Sequence, residues 1–172
     1  MRCFVGMGSN LGDREEMLRK GLAGLRASCG VELVAVSRIY ETEPEERPGT
    51  AGSAEPRYLN AVVELRSSLA PRALLERLLA IEREAGRERG PERAMPRTLD
   101  LDLLLFGERT IAEPDLIVPH PRLAVRPFVL EPLAELAGDL RHAALHAPIA
   151  ELAARVRNPA AVRPFSPRGP WP

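Results

Sequence analysis

The stretch Thr98-Leu99-Asp100-Leu101-Asp102-Leu103-Leu104-Leu105-Phe106-Gly107 decides how this chain is read. Side chains alternate between the two faces of a β-strand, so the pattern sorts itself. Leu99, Leu101, Leu103 and Leu105 fall on one face, which is wholly apolar. Thr98, Asp100 and Asp102 fall on the other. Two carboxylates one pleat repeat apart stand about 7 Å from each other. They repel, and partial burial raises both pKa values unless cations intervene. Mg²⁺ takes oxygen ligands, keeps waters and is commonly held by one or two carboxylates plus substrate phosphates. The pair therefore points to phosphate chemistry, although a bare D-x-D also fits a strand with one solvated face.

Working outward, Arg2–Gly8 reads as a first strand, with Gly6 and Gly8 on one face where a backbone or ligand can approach. Ser9-Asn10-Leu11-Gly12-Asp13 is a turn with helix-capping residue types. Leu18, Leu22 and Leu25 recur at helical spacing to about Ser28, and Gly30 ends that helix. Residues 31–39 read as a second strand and 58–65 as a third, the latter with Leu59, Ala61, Val63 and Leu65 facing the core. Tyr58, Asn60, Val62 and Glu64 point the other way. Pro71 suits a helix start. Leu74, Leu78, Ile81 and Ala85 give that helix a buried stripe, with Glu82 off it near the end. The order β-α-β-β-α-β predicts a ferredoxin-like α/β (α+β) core, an antiparallel sheet with helices packed on its faces. Asn60, Asp100 and Asp102 share the face opposite the two helices. Short helices are expected at 127–137 and 147–156. Residues 1–157 read as one domain and 158–172 as a Pro-rich tail with little structure.

Composition narrows the function. The 24 basic and 24 acidic residues cancel, which argues against general attraction to nucleic acid or membrane. No apolar run reaches transmembrane length. Cys3 and Cys29 form no C-x-x-C pair and no signal peptide is evident, so a cytoplasmic, reduced protein is expected. No G-x-x-x-x-G-K-[ST] loop occurs. Arg83, Arg87, Arg89, Arg93 and Arg97 crowd the approach to Asp100. Guanidinium groups match phosphate oxygens with paired hydrogen bonds, so acids and arginines together resemble a polyphosphate clamp. An ordinary solvated helix end accounts for the arginines equally well. His120 is held between Pro119 and Pro121, and it is either a phosphate donor or a plain loop histidine. His142 and His146 read as surface residues. An amide at Asn60 offers a donor and an acceptor, as a heterocycle edge requires. Phe128 is a stacking or a core residue. A nucleotidyltransferase also pairs a Gly-Ser turn with a D-x-D strand, but usually at shorter separation than Gly8-Ser9 and Asp100 have here. An RNA-binding sheet needs stacked aromatics, and only 4% of this chain is aromatic.

Taken together, the motifs resemble the 6-hydroxymethyl-7,8-dihydropterin pyrophosphokinases of folate biosynthesis. The matching pieces run from Gly8-Ser9-Asn10-Leu11-Gly12 through Tyr40-Glu41-Thr42-Glu43-Pro44, Tyr58-Leu59-Asn60-Ala61 and Ile81-Glu82 with Gly86-Arg87. They continue with Pro96-Arg97-Thr98-Leu99-Asp100-Leu101-Asp102, Val118-Pro119-His120 and Arg126 with Phe128. The resemblance implies a transferase that moves pyrophosphate from ATP, its co-substrate, to 6-hydroxymethyl-7,8-dihydropterin and releases AMP. It implies two Mg²⁺ ions on Asp100 and Asp102, with Arg87 and Arg97 stabilising the transferring phosphates. It further implies an ATP site lined by Glu82, Arg87, Arg97, Leu103, His120 and Arg126. Thr42, Pro44, Tyr58, Asn60 and Phe128 would line the pterin site. The partners are those two small molecules, with no nucleic acid and no membrane, and the chain is expected to be a monomer. Two positions depart from many relatives: Ala94 replaces a tryptophan, and Pro121 stands where some carry tyrosine. The polar stretches 41–56 and 86–97 are expected to close over the bound substrates.

Overall fold

The structure is a computed structural model that describes residues 1–44, 56–86 and 98–172. The elements in chain order are β1 (Arg2–Ser9), α1 (Arg14–Arg26), β2 (Val31–Val36), β3 (Tyr40–Thr42), β4 (Tyr58–Ser67), α2 (Pro71–Glu84) and β5 (Asp100–Phe106). They continue with β6 (Ile111–Glu113), β7 (Leu116–Val118), a 3₁₀ turn (Leu123–Val125), α3 (Pro127–Ala137), α4 (Ile149–Val156) and β8 (Val162–Pro164). The main sheet has the order β5-β1-β4-β3-β8, with β2 also paired to β4, and its pairs are antiparallel. The expected ferredoxin-like order is therefore present, with added elements at the C-terminal end.

Leucine spacing explains the first layer. Leu18, Leu22 and Leu25 of α1 and Leu74, Leu78 and Ile81 of α2 are buried against Val5, Met7, Leu59, Val63, Leu65, Leu99, Leu101 and Leu103. Asp13 caps α1 by accepting from the Glu16 N–H at 3.1 Å. That helix ends at Arg26, and Gly30 instead forms the turn into β2, at φ +78°. The opposite face of the sheet carries a second core, in which Phe4, Val62, Leu104 and Leu105 meet Leu130 and Leu133 of α3 and Ile149 and Leu152 of α4.

Three expectations need correction. Leu105 does not share a face with Leu99, Leu101 and Leu103. A bulge shifts the pairing with β1 between Phe4 and Val5, so Leu103 faces Val5 while Leu105 faces Phe4. The extra residue, Leu104, resets the alternation, and both Leu104 and Leu105 enter the second core. The strand expected at 31–39 stops at Val36, and a separate strand, β3, follows at Tyr40–Thr42, at the start of the stretch expected to be a loop; both pair with β4. Ser37 makes the break: its hydroxyl accepts the Val62 N–H at 2.9 Å and donates to the Arg38 carbonyl at 2.8 Å. His142, expected at the surface, is 6% exposed, and its Nδ1 accepts the N–H groups of Ala144 and Leu145.

The Pro-rich segment 158–172 also differs from the expected loose tail. Its β8 pairs with β3, the Phe165 N–H donates to the Ile39 carbonyl at 2.9 Å, and the Trp171 indole donates to the Ser37 carbonyl at 2.8 Å. Arg168 is bonded to Asp13 at 2.5 Å and to Glu15 at 3.2 Å, and Arg19 donates to the Pro170 carbonyl at 2.8 Å. Glu15 is only 4% exposed. Burial pushes its carboxyl up, but the hydrogen bonds from Arg19 and Arg168 outweigh this and hold it below the usual glutamate range.

A group with a depressed native pKa stabilises above its unfolded pKa, and this is lost as pH falls through the native value. The latch on Glu15 should therefore hold from neutral pH down to the ordinary glutamate range, about 4.3, and fail below it. Trp171 is the chain's single tryptophan and reports this directly. Its emission should shift to the red on acidification below that range, and in Glu15→Gln it should already be shifted at neutral pH. Emission identical in the variant and the parent would contradict the latch.

Candidate active site

The register of the sheet assembles the site. Asp100 lies beside Gly8, Gly8 beside Asn60, and Asn60 beside Tyr40. In the next row inward, Asp102 lies beside Gly6 and Gly6 beside Val62. Both rows face away from α1 and α2. The central strand contributes no side chain between the acids and the amide. A Cβ on Gly8 would sit 3.2 Å from the Asn60 Oδ1 and 4.0 Å from the Asp100 Cβ. The floor there is bare main chain.

A cavity of about 300 Å³ stands over this floor. Asp100 and Asp102 line one part of it, and Thr42, Tyr58 and Asn60 line another. Arg122, Arg126, Phe128 and Val129 close it from the segment that starts α3. Asn60 is 7% exposed, and its Nδ2 donates to the Thr42 Oγ1 at 2.8 Å, which fixes which way the amide points. The Arg126 guanidinium lies 5.4 Å from the centroid of the Phe128 ring and 4.0 Å from the Asp102 Oδ2. Acids thus form the floor and arginines the rim.

His120 stands beside the acids, with Nε2 3.9 Å from the Asp102 Oδ2. Its main-chain N–H donates to the Leu104 carbonyl at 2.9 Å, and its Nδ1 accepts the Arg122 N–H at 3.2 Å. That second bond places the ring proton on Nε2. Burial, and then the Arg126 and Arg122 cations, push its pKa down to about 4. At neutral pH it is an uncharged N–H donor and makes no ion pair with Asp102.

The donor set decides which metal suits the floor. Among the described residues there is no group of three or more His, Cys, Asp or Glu side chains arranged to hold a metal ion by themselves. The protein offers two carboxylates on one strand, with the Asp102 side chain 42% exposed. That is too few ligands for a calcium cage, and the one nitrogen nearby, His120, has Nδ1 bonded to the Arg122 N–H and its proton on Nε2, so it is not presented as a zinc ligand. The carboxylate pair fits Mg²⁺, which keeps water and phosphate oxygens in its remaining positions.

The cavity unites Thr42, Tyr58, Asn60, Asp100, Asp102, Arg126 and Phe128, with His120 adjoining. Other expected residues lie elsewhere. Leu103 is buried in the first core, on the far side of the sheet, so only its main chain is available to a ligand. Glu82 is 1% exposed between α2 and β5, where it accepts the Leu101 N–H at 2.7 Å. It braces the strand that bears the acids. Pro44 does not line the cavity. Arg87, Arg97 and Ala94 fall outside the described residues, as do 45–55 and 87–97 of the two stretches expected to close. Arg122 was missed by the sequence reading. Its place two residues after His120, in Pro121-Arg122, was the available signal.

A family described as 7,8-dihydro-6-hydroxymethylpterin-pyrophosphokinase matches residues 4–138, which include the whole cavity. The chain belongs to this pyrophosphokinase family. A 2-amino-4-hydroxy-6-hydroxymethyldihydropteridine pyrophosphokinase of Bacillus subtilis is 47% identical over 133 residues, covering 77% of this chain and 76% of the relative. Its Pseudomonas aeruginosa counterpart is 45% identical over 140 residues, covering 81% and 83%. A crystal structure of the Plasmodium falciparum HPPK-DHPS superposes with a TM-score of 0.70 at 14% identity. It covers 90% of this chain, which spans 44% of that longer one, and the likeness shows a common fold. Membership makes the chain a pyrophosphokinase of folate biosynthesis, with ATP as co-substrate.

The bond from Leu101 to Glu82 gives a stability test. Glu82→Ala leaves a buried N–H without its acceptor, which costs about 1–3 kcal/mol. Urea unfolding should show that loss, and Glu82→Gln, which keeps an acceptor oxygen, should recover most of it. Equal stability of Glu82→Ala and the parent would remove the bracing role.

Proposed function

We propose that this cavity is where the pyrophosphoryl group of ATP passes to the hydroxymethyl oxygen of 6-hydroxymethyl-7,8-dihydropterin. The pterin hydroxyl attacks the β-phosphorus in line. A new P–O bond forms, the bond from the β-phosphorus to the α–β bridging oxygen breaks, AMP leaves, and the hydroxyl proton goes to solvent. The observation that carries this reading is the single face bearing Asp100, Asp102 and Asn60 around the bare main chain of Gly8.

Asp100 and Asp102 would hold two Mg²⁺ ions. When bound, these neutralise charge on the phosphate oxygens and lower the pKa of the attacking hydroxyl. Arg126 faces the same space and suits phosphate oxygens, as do Arg87 and Arg97 by family match. His120 donates from Nε2 without adding charge. Asn60, oriented by Thr42, reads the polar edge of the pterin. Phe128 and Tyr58 flank the ring, which an aromatic face favours by stacking. Pro44, Glu82 and Leu103 belong to the family-matched set and support the two substrate sites from outside the cavity. The chain is proposed to act as a monomer. Cys3 and Cys29 are free thiols, which supports a reducing, cytoplasmic setting. Among the described residues no helix is long and apolar enough to cross a membrane.

The test is AMP formation from ATP and Mg²⁺ with and without the pterin. The parent protein should form AMP only when the pterin is present. Asp102→Asn, nearly isosteric, should lower kcat by about 100-fold or more, the scale of losing one preorganised electrostatic group. AMP formed without pterin, release of pyrophosphate in its place, or an Asp102→Asn rate within a few fold of the parent would overturn the assignment.

A further inference from the structure

We propose that residues 158–172 are a positioning brace for the pterin wall of the cavity, acting through β3 on Thr42 and thereby on Asn60. The inference rests on the pterin reading above and adds residues outside the cavity to it. The family match ends at residue 138, so the brace lies beyond the span by which the family is recognised.

The segment Ser37–Thr42 needs holding. Its strand β3 has only three residues, with β4 along one edge. Glu135 of α3 accepts from the Arg38 N–H and the Tyr40 hydroxyl, and Arg14 donates to Glu41, but none of these bonds involves Thr42. A strand that short with one open edge frays easily. Yet Thr42 must stay in place, because its Oγ1 accepts the Asn60 Nδ2 and sets the amide.

Residues 158–172 grip this segment along its length. Val162, Arg163 and Pro164 stand opposite Thr42, Glu41 and Tyr40. The Phe165 N–H bonds to Ile39, and hydrogen-bonded pairs alternate along an antiparallel ladder. Arg163 then falls at a bonded position, and Pro164, which has no N–H, at a non-bonded one. The proline thus costs the ladder nothing. Val162 is buried, opposite Thr42 in a non-bonded pair, the kind whose side chains approach most closely. Upstream, Trp171 holds the Ser37 carbonyl. The grip is anchored on α1 by Arg168 to Asp13 and Glu15, and by Arg19, which donates to the Pro170 carbonyl and lies 5.6 Å from the Trp171 ring centroid. The first helix, the tail and the pterin wall are one connected unit.

The test uses the full chain with the paired substitution Arg168→Ala and Trp171→Ala, neither of which lines the cavity. If the loosened β3 is in register about one-fifth of the time, the pterin KM rises about five-fold. The KM for ATP and the kcat at saturating substrates should stay within about two-fold, since a population tax is removed by saturation. Loss of folded molecules alone would lower kcat and leave both KM values unchanged. That outcome, or equal rises in both KM values, or no change at all, overturns the brace. A second measurement is independent of turnover: amide exchange at Tyr40–Thr42 should speed up in the paired variant while β1 keeps its protection. Unchanged exchange at those residues also overturns the brace. A parent protein lacking pterin-dependent AMP formation would instead remove the functional reading, and the exchange rates would still decide whether the tail holds β3.

Discussion

The fold and the site both depend on how β5 divides its side chains. Burial of Leu99, Leu101 and Leu103 against α1 and α2 leaves Asp100 and Asp102 no choice but the opposite face. Sheet register is strongly specified when one face is buried, because a slip of one residue exchanges the two faces. Here such a slip would drive two carboxylates into a leucine core, which is prohibitive without partners. The hydrophobic layer therefore aims the acids, and Glu82 reinforces that aim by bonding the Leu101 N–H from the helix side.

The neighbouring strand completes the arrangement by what it omits. Gly6 and Gly8 separate the acids from Val62 and Asn60 without adding side chains. The rim supplies the opposite charge, from Arg122 and Arg126, next to an uncharged His120. On the proposed reading, a polyanion with divalent ions would meet negative charge below and positive charge at the side. On the same reading, a flat heterocycle would meet the Asn60 amide and Phe128. Each half of the site suits one half of a reaction between a nucleotide and a pterin.

Much of this was legible in the sequence because it depends on local periodicity. The D-x-D strand, its glycine-bearing neighbour, Asn60 and the leucine stripes follow from alternation and helical spacing, and the structure joins them as expected. The rest depends on partners that spacing does not reveal. The reversal at Leu104 and Leu105 arises from a register shift against β1. The break at Ser37 arises because a hydroxyl serves the Val62 N–H. His142 is buried because two main-chain N–H groups satisfy its ring. The order in 158–172 comes from isolated anchors, Phe165, Arg168 and Trp171, set among prolines. Composition reads such a segment as loose, whereas its stability comes from contacts with residues more than a hundred positions away. The roles of the pterin-wall residues came from family resemblance, since no spacing rule distinguishes a pterin from another ring.

The proline in β8 has a consequence at the rim of the sheet. Its missing N–H lies on the side turned away from β3, where an incoming strand would seek a donor. Arg163 beside it adds a charged side chain to the same short strand. Exposed strand edges are the usual route by which sheets join edge to edge into aggregates, and proline, charge and brevity are the usual defences. By closing β3 with a strand that itself offers a poor template, the chain finishes its sheet without inviting another molecule to extend it.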